Sequence, residues 1–565
     1  MQTWKISAGI GLASLGVLAA CGGGTDGLPQ LTPAQAGTLA NCTTLASSFA
    51  FANTTLASAE DVPTGTVTVG GQPVAAHCLV KGFMEKRTGS DGNTYQIGFE
   101  MRLPKAWSGR YFYQGNGGLD GSVLTATWGS GGGVLTHALQ QGFAVISSDA
   151  GHTGAQIPVF GFEPQARLNY GYQAAQKLTP MAKALVKAAY GRAPDRSYFG
   201  GCSNGGRHTL VATTRLADEY DGFLAGAPGY NLPKAAVSQI WGAQQYAKLA
   251  TAGATITAQG QTIPDLATGL TPTERNLVAS SILAKCDALD GAVDGIVGDT
   301  AACQAKFNVA TDVPTCSGAR DGMCLTTAQK QVLADIHTGA KTSTGTAIYN
   351  TFPFDAGISG AGWGQWEFVN SLALDPLAAG TVFGTPPAYI ANPLTASIDA
   401  LTAGITATNA TYTESGMTFM TPPNPSDLSK LKNRGAKVMV YHGVSDAVFS
   451  FDDSATWYNN LAKANGGNAS DFARLYPVPG MNHCSGGPAT DQFDMLSALV
   501  NWVEKGQAPD SVLASARGAG NAGGVNTELP ANWSATRTRP LCAYPKVARY
   551  KGTGDVESAS SFSCQ

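Results

Sequence analysis

An α/β fold interrupted by a large insertion is predicted by three observations along these 565 residues. Short apolar runs that read as buried strands recur at 95–103, 110–114, 143–147, 197–200, 223–228, 437–442 and 473–478, with helical patterns between several of them. One strand runs through Gly201-Cys202-Ser203-Asn204-Gly205 directly into a helix at 207–216. From 230 to 424 the regular alternation gives way to text rich in Gly, Thr, Ala and Asn, after which strands resume. A chain this long exceeds one ordinary domain. The expected organisation is a first catalytic part at 42–229, an inserted lid at 230–424 and a second catalytic part at 425–565.

The chain begins with Met1 to Lys5 and an apolar run from Ile6 to Ala20, the form of an export signal and too short to span a membrane. Leu18-Ala19-Ala20-Cys21 has the form of a bacterial lipoprotein box, with Cys21 as the lipidated first residue of the mature chain; ordinary cleavage nearby is the alternative. Residues 22–41 then read as a flexible tether, and any membrane contact runs through Cys21 alone. Charged residues make up 13 % and the net charge is −3, so there is no basic field for nucleic acid and small, weakly charged substrates fit best.

Within the first catalytic part, Ile97, Phe99, Met101 and Leu103 alternate on one face of a strand. The next strand, 110–114, leads into Gly115-Asn116-Gly117-Gly118, where an α/β-hydrolase carries an oxyanion amide and where a plain surface turn also has this composition. Asp149 and His152 precede the serine and lie close together, so they read as loop-shaping groups. A helical pattern covers 167–190, with a break or kink expected near Pro180. Gly201 to Gly205 then matches G-x-S-x-G. The glycines permit a strand-to-helix turn too tight for side chains, and the helix start favours negative charge beside Ser203.

The lid holds two capping-box helix starts, Thr271 to Glu274 and Thr326 to Gln329. Trp363 and Trp366 are candidate substrate contacts, although most lid aromatics serve as core. Asp287, Asp290 and Asp294 punctuate a Gly-containing loop. Such hard oxygens suit Ca²⁺, and the same Asp-Gly pairs mark ordinary turns. Beyond the lid, Asp446 follows strand 437–442 in the position of a triad acid, whereas Asp452 and Asp453 suit a helix N-terminus. His483 follows the last strand and is the only histidine after Asp446, completing the order Ser203, Asp446, His483. An amphipathic helix is expected at 492–505, ending at Gly506.

Of eleven cysteines, ten remain after Cys21, an even set that reads as five disulfides in an exported protein lacking any C-x-x-C pair. Cys202 precedes the candidate nucleophile and Cys484 follows the candidate base, so a bond between them would tie the two loops together. Nearest-neighbour pairing joins Cys42 with Cys78, Cys286 with Cys303, Cys316 with Cys324, and Cys542 with Cys564.

Taken together, Gly201 to Gly206, the loop from Asp287 to Ile296, His442 to Asp446 and Pro479-Gly-Met-Asn-His483-Cys484-Ser-Gly-Gly487 resemble the tannase and feruloyl esterase family, most nearly its terephthalate-monoester branch. Phe162 to Arg167, Thr538 to Cys542 and Arg549 to Gly552 match as well. The resemblance implies structural calcium held by Asp287, Asp290 and Asp294 with the carbonyls of Ala292 and Ile296. It implies an oxyanion hole from the amides of Gly118 and Asn204, a Cys202–Cys484 disulfide, and Phe449 against the substrate ring. One departure matters: that branch grips its substrate's carboxylate with a lid arginine, but nothing between Lys341 and Lys430 is Lys, Arg or His. Gly117 and Asn204 also stand where that branch has Ser and Glu. The expectation is a serine hydrolase of small aromatic esters, feruloyl or galloyl in type, with the terephthalate monoester as a lesser substrate. A peptidase on this fold and a non-catalytic, lipid-anchored binder of aromatics are the competing readings.

Overall fold

The computed structural model describes Met1 and residues 28–565, apart from 130, 132, 133 and 135. The expected export signal, Cys21 and the start of the tether lie outside the described residues. A nine-stranded sheet forms the centre: β1 (Thr54–Val62), β2 (His77–Thr88), β3 (Thr94–Pro104), β4 (Arg110–Gly115), β5 (Ala144–Ser148), β6 (Arg196–Cys202), β7 (Gly222–Gly226), β8 (Lys437–Gly443) and β9 (Ala473–Val478). Their spatial order is β9-β8-β7-β6-β4-β5-β3-β2-β1. The six strands from β9 to β5 pair in parallel, while β5, β3, β2 and β1 pair antiparallel.

Parallel strands need helical crossovers, and these cover both faces, so successive residues are buried on opposite sides. Helices α1 (Ala174–Tyr190) and α2 (Asn204–Arg215) pack with Phe199, Phe223 and Val438 on one face. The lid enters between β7 and β8 and contains α3 (Leu232–Ala247), α4 (Pro272–Cys286) and α5 (Thr327–Thr338). After β8 comes α6 (Phe451–Ala464), on the α1 face; after β9 comes α7 (Met495–Lys505), which meets Tyr198, Leu224 and Met439 on the other. Both capping boxes form: Thr271 and Glu274 open α4, and Thr326 and Gln329 open α5. All five expected disulfides are present.

Three expectations are corrected. Pro180 does not break its helix. It sits inside α1, and the irregularity is a π-turn at Asn169–Gln173, next to the lid contact where Gly171 packs on Phe419. The last helix begins at Met495 with Asp494 as its cap, because Gln492–Phe493 pairs as a short strand with Ser515 and Ala514. Residues 28–41 are docked rather than a free tether. Gly37–Thr38 pairs with Ala106–Trp107, and the Ala34 amide donates to Glu504, which also receives Arg110 through two bonds of 2.7 Å and the Tyr198 hydroxyl at 2.8 Å.

The centre of the sheet tolerates no side chain at the strand-to-helix turn. A Cβ on Gly205 would lie 2.3 Å from the Gly115 carbonyl oxygen, and one on Gly201 would lie 2.4 Å from the same atom. Gly205→Ala therefore must push β4 from α2. Overpacking of this kind costs about 1–3 kcal/mol, and the expected result is a lower denaturation midpoint; unchanged unfolding would show that the turn is not tightly packed.

Candidate active site

The turn between β6 and α2 holds Ser203 at φ 64° and ψ −128°, a conformation L-residues rarely adopt. Its backbone is fixed on both sides: the Ser203 amide donates to the Gly226 carbonyl at 3.0 Å, and its carbonyl accepts from Arg207 at 3.0 Å. The hydroxyl is thereby presented at the helix start. His483, on the loop after β9, meets it with Nε2 at 2.8 Å from Ser203 Oγ. On the far side of the ring, Nδ1 lies 2.6 Å from Asp446 Oδ2. With Nδ1–H donating to the carboxylate, Nε2 carries the lone pair that can accept the serine O–H.

Asp446 is 2 % exposed and well satisfied. Its Oδ1 accepts the amides of Val448 and Phe449, both at 3.0 Å. Burial alone would raise this carboxyl, but the imidazoles of His483 and His442 outweigh it and hold the group below the ordinary carboxylate value. His442 Nε2 lies 3.4 Å from Asp446 Oδ2 and also donates to the Phe449 carbonyl, while its other nitrogen receives the Ser454 hydroxyl. The Cys202–Cys484 disulfide, with Cα atoms 6.1 Å apart, joins the residue before the serine to the residue after the histidine.

Gly118 and Asn204 line the same pocket as Ser203, and among the described residues neither amide finds an acceptor. A group absent from the sequence reading connects them. Asp120, two residues after Gly118, accepts from Asn204 Nδ2 at 2.6 Å and faces His208 Nε2 at 3.1 Å, while Asn204 Oδ1 accepts from the buried Arg207 at 2.6 Å. The two loops that carry the free amides are thus tied side chain to side chain. Nothing in local patterning marks Asp120, because its partner lies 84 residues away.

The pocket wall is apolar: Leu119, Tyr170, Leu232, Trp366, Val448 and Phe449. Trp366 and Phe449 stand edge-on to the His483 ring, with centroids 5.0 and 5.2 Å away. Trp363, expected beside them, does not reach this pocket. It is buried in the lid core against Phe368 and the Arg275 guanidinium, three residues and nearly one helical turn from Trp366. The role of substrate contact is therefore withdrawn for Trp363.

In the lid loop, Asp287, Asp290 and Asp294 are all buried. Asp287 accepts the amides of Asp294 and Gly295, Asp290 that of Ala292, and Asp294 that of Ile296; Asp294 also pairs with Arg539. Burial, reinforced by the charges of Asp294 and Asp287, pushes Asp290 up to about 7. One guanidinium does not neutralise three acids, and the carbonyls of the buried Ala292 and Ile296 accept no hydrogen bond among the described residues. This donor chemistry fits a hard cation. The geometry is not closed on one: among the described residues no three His, Cys, Asp or Glu side chains converge closely enough to hold a metal.

The sequence model of the family described as tannase and feruloyl esterase matches residues 80–565. The chain is 40 % identical over 535 residues to mono(2-hydroxyethyl) terephthalate hydrolase of Piscinibacter sakaiensis, covering 88 % of this chain and 86 % of that one. It is 30 % identical to a probable feruloyl esterase B-1 of Neosartorya fischeri, covering 83 % of each. Among solved structures, feruloyl esterase B from Aspergillus oryzae superposes with a TM-score of 0.71 at 26 % identity, over 92 % of this chain and 98 % of that one. With the match extending from the third strand's neighbour to the last residue, the chain belongs to the tannase and feruloyl esterase family and is a carboxylic ester hydrolase.

Proposed function

We propose that the chain hydrolyses esters of small aromatic acids, feruloyl or galloyl in type, through Ser203, His483 and Asp446. The observation that carries this reading is the continuous hydrogen-bonded chain from Ser203 Oγ to Asp446 inside a pocket walled by Trp366 and Phe449. His483 takes the serine proton as Oγ attacks the ester carbonyl, and the amides of Gly118 and Asn204 receive the developing oxyanion. The alkoxide leaves with the proton from His483. Water then gives its proton to His483, attacks the acyl-serine, and the acid departs as Ser203 is reprotonated.

The terephthalate monoester is the second reading, favoured by the similarity to the Piscinibacter hydrolase. Against it, no cationic side chain lines the pocket among the described residues, so a substrate carboxylate has no bidentate partner there. Calcium belongs in the lid loop, held by Asp287, Asp290 and Asp294 with the carbonyls of Ala292 and Ile296. When bound it supplies structural charge neutralisation. Export, with Cys21 as a lipid anchor, completes the reading. No helix among the described residues is long and apolar enough to cross a membrane.

Three outcomes are expected. Ser203→Ala lowers kcat on methyl ferulate by at least about 10⁴-fold, with the terephthalate monoester turned over more slowly than ferulate or gallate esters by the parent enzyme; comparable rates in parent and variant would refute the assignment of the nucleophile. Asp120→Ala lowers kcat by roughly ten- to a hundredfold, below the ~10²–10³ of a deleted oxyanion donor, with KM nearly unchanged and Asp120→Asn largely restoring the rate. Calcium raises Tm and EGTA reverses it, since a ligand at 100 times its Kd adds about 2.7 kcal/mol; a Tm indifferent to both would remove calcium from the account.

A further inference from the structure

Asp375 opens the short helical turn Asp375–Leu377 in the lid and lines the Ser203 pocket beside Trp366, Leu374 and Ala378. It is 6 % exposed, yet among the described residues neither carboxyl oxygen receives a hydrogen bond and no cation lies within ion-pair distance; Oδ2 is fully buried without a partner. Other buried acids nearby are spent on structure. Asp355 accepts the amides of Gly357 and Gly480 and the Ser445 hydroxyl, and Asp453 accepts from Asn231 and Asn350. Asp375 does no such bridging.

The surroundings determine its charge. Burial drives the Asp375 carboxyl well above the ordinary carboxylate range. Burial also pushes its neighbour Glu367 up to about 8, with the charge of Asp375 adding to the effect. Burial with no cation in reach favours the protonated carboxyl at Asp375. A neutral carboxylic acid presents one O–H donor and one carbonyl acceptor. An apolar pocket with a single such group discriminates by hydrogen bonding, because a ligand that lacks the matching group leaves it unpaired.

We propose that Asp375 is the specificity residue of this pocket, exchanging a hydrogen bond with a ring hydroxyl of the aromatic acyl group. The pocket thereby selects esters of hydroxylated aromatic acids over unhydroxylated ones, and over carboxylated ones whose charge would be buried without a cation. This rests on the ester-hydrolase reading of Ser203 given above.

The test uses two esters that differ by one hydroxyl, methyl 4-hydroxycinnamate and methyl cinnamate, in binding and in turnover. Binding is measured calorimetrically to Ser203→Ala, alone and combined with Asp375→Leu or Asp375→Asn. The expected preference for the hydroxylated ester is about tenfold, the size of one hydrogen bond; it vanishes with leucine and largely persists with the isosteric asparagine, whose amide also donates and accepts. With Ser203 intact, kcat/KM shows the same preference and the same pattern of loss. If leucine prevents folding, the parent preference and the asparagine variant decide. Equal binding of the two esters by the parent, or a preference unchanged by leucine, overturns the role of Asp375 even if both esters are hydrolysed. A leucine-sensitive binding preference without turnover of either ester upholds Asp375 and overturns the hydrolytic reading instead.

Discussion

Ser203 and His483 are 280 residues apart and meet across 2.8 Å. The fold is organised to hold that contact. Parallel pairing brings the ends of β6, β7, β8 and β9 to one edge of the sheet, so loops distant in sequence emerge side by side. The glycine turn raises the serine, the Asp446 carboxylate orients the imidazole, and the Cys202–Cys484 bond limits how far the two loops can separate. Preorganisation of this kind moves the cost of orientation from the reaction into folding.

Electrostatics divides the acids around the pocket by their partners. Asp446 is buried beside two imidazoles and two amides and stays ionised, as an orienting acid must. Asp375 and Glu367 are buried with no ion-pair partner among the described residues, and burial pushes both carboxyls up. Equal burial with opposite shifts follows from whether opposite charge and N–H donors are within reach. The lid loop is a third case: three acids share one arginine, an imbalance that a divalent cation would correct.

Legibility in the sequence followed the range of the forces concerned. Strand β9 spans 473–478 as its apolar run indicates, and both capping boxes form because their partners lie within one turn. The meeting of Ser203, Asp446 and His483 was readable because one histidine follows Asp446 and because such groups sit on the loops after the parallel strands. Asp120 was not, since its bond to Asn204 depends on two loops meeting in space. Trp363 and Trp366 look equivalent in sequence, but three residues on a helical segment turn one into the core and the other towards His483. Pro180 reads as a helix breaker, yet tertiary packing carries it within α1. The docking of residues 28–41 rests on Glu504, a partner remote in sequence.

The central claim is that Ser203 becomes covalently acylated by an aromatic acid. Rapid acid quenching during turnover of 4-nitrophenyl ferulate, followed by proteolysis and mass spectrometry, tests it directly. The account predicts a feruloyl adduct on the peptide containing Ser203, absent from Ser203→Ala and from unreacted enzyme. An adduct on another residue, or steady turnover with a peptide that is never modified under conditions where deacylation limits the rate, would contradict it.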